Sequence, residues 1–478
     1  MINIFLAEVS NWSFDWTQYA MVWKFVIQAG LLLIFMLLGN LLVKVIPFLR
    51  KAFIPSALIG GLLLFLVNLF FEVVFKFSIV DKRIMQIITY HALAIGFIAM
   101  SLKIIKKKEG ISVLKVFQNG ALTGGTYMLQ AIVGICISLL FFYLGGKVLF
   151  YDAGVLLPLG YGQGPGNALT WDINFTNAGL FDGNGSFGLT IASVGFIVAS
   201  IVGVIYINIQ KRKGAIEKRE FVSTRSIEIF EQEGEIEDSD SVDKSTIQIA
   251  FVFVAYAIAL GIMLFFKGLT DWTGVKLFNS VAWGFNFIWG VVAATLVKFI
   301  LKFLMKKKVV KKQYINNYQM DRIAGFAFDM MIIAGVSAID IKVVSKYALP
   351  LIVICVVGAI VTVIYVNIIC RKCFKGFVHE SFLLNFGTLT GTASNGMILL
   401  REIDPNFKTP ASDVYIVSQF PAMLFVAPLL VLLTLGSSSI KGCIITLIIF
   451  TVLFIAYTLF LLLSSKEKKT IQKEEKEV

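Results

Sequence analysis

Leu159-Gly-Tyr-Gly-Gln-Gly-Pro-Gly-Asn-Ala168 places glycine at every second position from Gly160 to Gly166, inside an otherwise apolar chain. Spanning helices are not written this way. Alternating glycines weaken a helix and free the backbone for unusual dihedrals and close approach. In lipid such backbone survives only where protein or a water-filled cavity covers it. Two readings follow: a loop outside the membrane, or a re-entrant hairpin whose amides and carbonyls bind a solute. Downstream, Asn385-Phe-Gly-Thr-Leu-Thr-Gly-Thr-Ala-Ser-Asn-Gly396 repeats the irregularity with hydroxyls and amides among its glycines. Two such interruptions, one in each half, favour the hairpins and point to a transporter's site.

The remaining sequence is written for lipid. With 478 residues, 58% hydrophobic and 15% charged, the chain departs from any ordinary soluble domain and is an all-α polytopic membrane protein. The net charge of +13 does not imply nucleic acid, because Lys and Arg stand in short runs beside apolar segments, as membrane topology requires. Five cysteines are scattered; the close pair Cys370 and Cys373, beside Arg371 and Lys372, reads as incidental or lipidated rather than metal-binding. No basic residue precedes Lys24, so the N-terminus does not read as a cleaved secretory signal.

Apolar runs of spanning length fall at about 22–44, 54–75, 84–102, 120–144 and 186–209, with the first hairpin at about 153–172. Residues 211–246, dense in Glu, Lys, Asp and Ser, form a solvated cytoplasmic linker between two halves. Spans resume at about 247–266, 283–304, 323–341, 347–370 and 412–436, with the second hairpin at about 380–400. One more span, at about 441–464 within 438–465, precedes a charged tail, 466–478. Basic residues gather at every second connection: Lys44, Arg50 and Lys51; Lys103 and Lys106 to Lys108; Lys211 to Lys213; Lys302 to Lys312; Arg371 to Lys375; and Lys466 onward. That alternation puts the N-terminus outside and the C-terminus in the cytoplasm. It requires the first hairpin to enter and leave from outside and the second from inside.

Five spans and a hairpin thus occur twice with opposite starting sides. Residues 1–210 and 247–437 read as inverted-topology repeats, and 438–465 as an extra C-terminal transmembrane helix. Ala99-Met-Ser-Leu-Lys103 and Ala338-Ile-Asp-Ile-Lys342 echo one another at the ends of the third and eighth spans.

Glycines at a hairpin tip can turn N–H groups toward an anion and carbonyls toward a cation, and the N-termini of flanking short helices favour a carboxylate. The substrate candidates of the first hairpin are Gly162, Gln163, Gly164, Gly166, Asn167 and Thr170, with Tyr161 as a wall. Those of the second are Asn385, Gly387, Thr388, Gly391, Thr392, Ser394 and Asn395. Their hard oxygens suit an alkali cation, for which Thr390, Thr392 and Asp329 are the candidates. Ser, Thr and Asn in membrane helices can equally bond to neighbouring backbone and do nothing more. Asp329, deep in the eighth span, must be paired, protonated or facing water. His91, in the third span, reads as a packed histidine rather than a ligand. The sequence holds no P-loop, HExxH or GxSxG, so the reading is not an enzyme, has no cofactor, and takes its energy from an ion gradient.

These residues resemble the sodium/glutamate symporters. Ile54-Pro55 with Gly60-Gly61-Leu62-Leu63, Gly162-Gln163-Gly164-Pro165-Gly166-Asn167-Ala168 with Trp171, Tyr347-Ala348-Leu349-Pro350, Phe386-Gly387 and Gly391-Thr392-Ala393-Ser394 are similar to that family's elements, in consistent order over about 22–436. The resemblance implies an inverted repeat with two re-entrant loops, Na⁺ as coupling ion, symport of glutamate across the cell membrane, a homodimer and elevator-like movement. The chain departs from the family where the site is expected. Gln163 stands for a histidine, Pro165 for a threonine and Asn167 for an alanine, the second hairpin lacks the family's proline, and Asp329 takes a position usually held by a small polar residue. The scaffold and sodium coupling therefore transfer better than glutamate itself, and a related acidic amino acid or organic anion stays open. A channel or receptor that binds the solute without pumping is the other reading.

Overall fold

The computed structural model describes residues 16–104, 111–216, 243–274, 276–310, 312–405 and 407–474, and every regular element among them is helical. The first half comprises α1 (Trp16–Val45), α2 (Pro47–Lys51), α3 (Ser56–Val74), α4 (Lys82–Leu102), α5 (Val113–Tyr143), α6 (Leu156–Gln163), α7 (Pro165–Asn177) and α8 (Ser186–Arg212). The second begins with α9 (Lys244–Thr273), α10 (Lys276–Gly284), α11 (Asn286–Lys306), α12 (Asn317–Ser337), α13 (Ile341–Lys346) and α14 (Ala348–Cys373). It ends with α15 (Val378–Thr390), α16 (Ala393–Arg401), α17 (Ala411–Ser438) and α18 (Ile440–Glu474). Short polar side chains start several of these helices by accepting their free N–H groups. Asp81 takes those of Arg83 and Ile84 before α4, and Asp243 those of Ser245 and Thr246 before α9.

Ten helices among the described residues are long and apolar enough to cross a membrane. The remaining expected span, the eighth at 323–341, is the helix α12, which is not among the ten. It carries Asp321, Arg322 and Asp329; the first two are exposed in its opening turns, where Asp321 pairs with Lys103, and Asp329 is half-buried on a helix that packs among α3, α4 and α7. α18 also continues through Glu474, past the expected start of the tail. Most of the expected linker, 217–242, and Lys106 to Lys108 lie outside the described residues. The Cys370 and Cys373 thiols are free but buried, where a lipid-transferring enzyme could not reach them.

The helices sort into two bundles by what they touch. In one, α1, α3, α4, α9, α11 and α12 pack together, and its broadest contact is between α4 and α12. These two run antiparallel, with Lys82 at the start of α4 bonded to Asp340 beyond the end of α12 (2.9 Å) and Lys103 at the end of α4 bonded to Asp321 in the first turns of α12 (2.6 Å). α12 packs on α3 as α4 packs on α11. In the other bundle α5 is central, touching α6, α14, α17 and α18, and the short helices α6, α7, α15 and α16 fill the space beside α8.

Candidate functional site

Both irregular segments are broken helix pairs. The first breaks at Gly164, whose φ of +82° and ψ of −175° lie in a region open essentially to glycine alone. Pro165 then starts α7, where its missing N–H leaves nothing unsatisfied. Gly162 lies under the Tyr127 ring, and the Tyr127 hydroxyl donates to the Gly162 carbonyl (2.6 Å). Tyr161, fully buried, donates to the Cys355 carbonyl of α14 (2.8 Å). Gly166 rests against the Leu93 side chain of α4.

The second pair breaks at Gly391-Thr392 between α15 and α16. Its arms touch where a Cβ on Gly387 would lie 2.7 Å from the Gly396 Cα. Gln130 of α5 anchors this break, donating to the Leu389 carbonyl (3.0 Å) and to Thr362 of α14 (2.9 Å).

The two breaks meet. A Cβ built on Gly164 would lie 3.7 Å from Thr392 Cγ2 and 3.6 Å from Met331 Cε of α12. Gly164 is the N-cap of α7 and Thr392 that of α16, so two helix N-termini converge, and no side chain caps either. The first N–H groups of a helix have no intrahelical partner and carry its positive partial charge. Beside them, Asn167 Oδ1 and Asn395 Nδ2 are buried with their hydrogen-bonding capacity unused. Asn167 Nδ2 donates to Gln163 Oε1 (2.7 Å), and Thr392 Oγ1 donates to Asn395 Oδ1 (3.3 Å). Gln163 and Thr392 are half-buried and Ser394 is exposed.

Other expected site residues are occupied elsewhere. Thr170, Thr388 and Thr390 bond back to the carbonyls of Gly166, Leu384 and Phe386 in their own helices. Asn385 donates to Asn119 of α5 (2.9 Å), whose amide donates in turn to Ser418 of α17, so it ties helices together one to two turns from the tip. Asp329 has no hydrogen-bond or ion-pair partner among the described residues. It stands two positions before Met331, on the opposite side of α12, and one turn before Ile333, which packs on Gly60 and Gly61 of α3. His91 pairs its Nδ1 with the Tyr256 hydroxyl (2.6 Å), away from the tips.

Sequence reading missed Tyr127, Gln130 and Met331, which carry no local signature. It also passed over two acids in apolar surroundings, Asp152 and Asp172, 1% and 0% exposed. Asp172 accepts from the Gly188 N–H (2.9 Å) and so joins α7 to the N-terminus of α8. Asp172→Ala strands a buried backbone donor and is expected to cost about 1–3 kcal/mol, read as a lower unfolding temperature. Asp172→Asn, which keeps an acceptor oxygen, should lose less, and equal melting of all three proteins would refute the cap.

Ten candidate spans, two broken helix pairs and an uncapped polar meeting point between them define a polytopic membrane protein with the interrupted helices of a solute carrier. The sequence profile of the sodium/glutamate symporter family matches residues 24–378, about three quarters of the chain, which therefore belongs to that family. The match reaches through α14 and ends at the first residue of α15. No curated protein matched the chain. Family membership supports sodium-coupled glutamate transport in a multi-pass membrane protein.

Proposed function

We propose that the chain is a secondary active symporter in which Na⁺ moving down its gradient drives glutamate, or a closely related small acidic amino acid or organic anion, into the cell by elevator-type alternating access. The observation that carries this reading is the convergence of the α7 and α16 N-termini at Gly164 and Thr392, with Asn167 Oδ1 and Asn395 Nδ2 unspent beside them. A substrate carboxylate answers the N–H groups. The two amides answer its remaining polar atoms, Gln163 and Ser394 line the approach, and Gly162, Gly166, Gly387 and Gly391 shape the tips. Thr392, and Thr390 through the lone pairs that its donated bond to Phe386 leaves free, offer hydroxyl oxygens to a cation at the tips, and Asp329, across α12, is a separate cation position.

The antiparallel α4 and α12, joined by a lysine–aspartate pair at each end, and the matching contacts of α3 with α12 and α11 with α4 support two inverted repeats, 1–210 and 247–437, with hairpins entering from opposite sides. The position of the tips supports an elevator. Gly164 and Gly166 face Met331 and Leu93, at the boundary where one bundle could slide past the other. The alternation of basic residues keeps the N-terminus outside and the C-terminus in the cytoplasm, and the working unit is a homodimer.

Proteoliposomes with an inward Na⁺ gradient should accumulate labelled L-glutamate above the external concentration and lose accumulation when K⁺ or choline replaces Na⁺. Uptake indifferent to Na⁺ would reject symport, and equilibration without accumulation would indicate a channel. Asn167→Ala and Asn395→Ala should each raise the glutamate KM roughly tenfold, the equivalent of about 1.4 kcal/mol, with unchanged melting. Unaltered KM in both would remove the amides from the site.

A further inference from the structure

Asp152 immediately precedes the 3-10 turn Ala153–Val155 between α5 and α6, and its carboxyl group is buried without a cationic partner among the described residues. Oδ1 meets only the Cys443 thiol of α18, at 3.8 Å, and Oδ2 has no hydrogen-bond partner. A Cβ on Gly436 of α17 would crowd Oδ2 to 2.8 Å, so the place beside that oxygen stays open because residue 436 is glycine. Leaving a buried carboxylate unpaired is expensive, so the group calls for a cation or a proton.

Two further oxygens are buried nearby with nothing to bond: Ser138 Oγ of α5 and Thr446 Oγ1 of α18. α5 and α18 run antiparallel, since Gln118 at the start of α5 donates to Ser464 near the end of α18, while Cys443 at the start of α18 meets Asp152, two residues before Gly154, which touches Gly134 in the later half of α5. Ser138 stands one turn from Gly134, whose backbone touches Gly154, and one turn from Phe142, whose ring lies 5.6 Å from that of Tyr151. Thr446 follows Cys443 by three residues, on the same face. One carboxylate and two hydroxyls, with no basic residue among them, are hard oxygen donors of the kind a monovalent cation takes.

We propose that Asp152, Ser138 and Thr446 form a Na⁺ site separate from the hairpin tips and closed by α18, the helix outside both repeats. The bound cation neutralises the buried carboxylate, and its release loosens α18 from α5 and from the turn that leads into α6. The proposal rests on the sodium-coupled reading and goes beyond it in placing an ion away from the substrate.

The test uses the purified full chain without glutamate. Unfolding temperature is titrated with NaCl against choline chloride, and the Na⁺ dependence of glutamate uptake is measured in proteoliposomes. Wild-type protein should be stabilised by Na⁺ through mass action. Asp152→Asn should lose part of that response, raise the half-saturating Na⁺ about tenfold and lower the Hill coefficient, with the glutamate KM at saturating Na⁺ preserved. Should Asp152→Asn fail to fold, Thr446→Val and Ser138→Ala carry the same measurement, each with a smaller rise. A wild-type response to Na⁺ reproduced unchanged by the variants overturns this site and leaves symport standing. A wild-type protein indifferent to Na⁺ in both assays overturns both.

Discussion

Gly164→Ala is expected to lower sodium-driven glutamate uptake roughly tenfold or more while the protein still folds and reaches the membrane. Space is not the obstacle, because the nearest atoms to an added Cβ, on Met331 and Thr392, stand at ordinary contact distances of 3.6 and 3.7 Å. The obstacle is the backbone. At φ +82° and ψ −175°, an L-residue bears about 1–3 kcal/mol of strain that glycine avoids. Pro165 bars a continuous helix, so α6 and α7 can shed that strain only by changing their angle at residue 164, which would carry Asn167 and the α7 N-terminus away from Thr392. About 1.4 kcal/mol corresponds to a tenfold change in the population of the competent state. Initial uptake rates in proteoliposomes, normalised to protein, make the comparison, with melting temperature measured alongside. Wild-type uptake by Gly164→Ala would mean that the break does not set the transport geometry.

Gly154→Ala is expected to act on stability instead, and more severely. A Cβ there would fall on the Gly134 carbonyl of α5, and one on Gly134 would fall on the Gly154 carbonyl, so both glycines are required by a backbone-to-backbone contact. No rotamer change relieves a clash between main chains. α5 and the turn leading into the first hairpin must separate, with a loss at or above the upper end of the usual overpacking range, roughly 3 kcal/mol. Folded yield in detergent and thermal unfolding report it. Gly261→Ala is the control, because nothing lies within 4 Å of its Cβ position in α9 and helix propensity favours alanine there. If Gly154→Ala melts with wild type and Gly261→Ala, the packing at this junction is looser than described.

Much of this architecture is legible residue by residue. The expected span at 84–102 is α4 at Lys82–Leu102, that at 186–209 is α8 at Ser186–Arg212, and both glycine-rich segments interrupt helices. The site is less so. Thr170, Thr388 and Thr390 satisfy themselves on their own helices, the use of such residues that composition cannot distinguish from ligation. The sequence drew attention to Asp329, in a long apolar run, and not to Asp152, beside turn residues, or Asp172, among the polar residues of α7, where an acid is unremarkable until its burial is known.

Hydropathy, glycine placement and capping residues act within windows of a few to about twenty residues. The sequence alone therefore determined helical class, spans, breaks and family. Which elements meet depended on packing between distant segments: Gly164 against Thr392, Gln118 against Ser464, and α12 against α3 and α4. A helical period states which residues share a face and is silent about what lies opposite. Only the assembled bundles turned Met331 toward the tips and Ile333 toward α3.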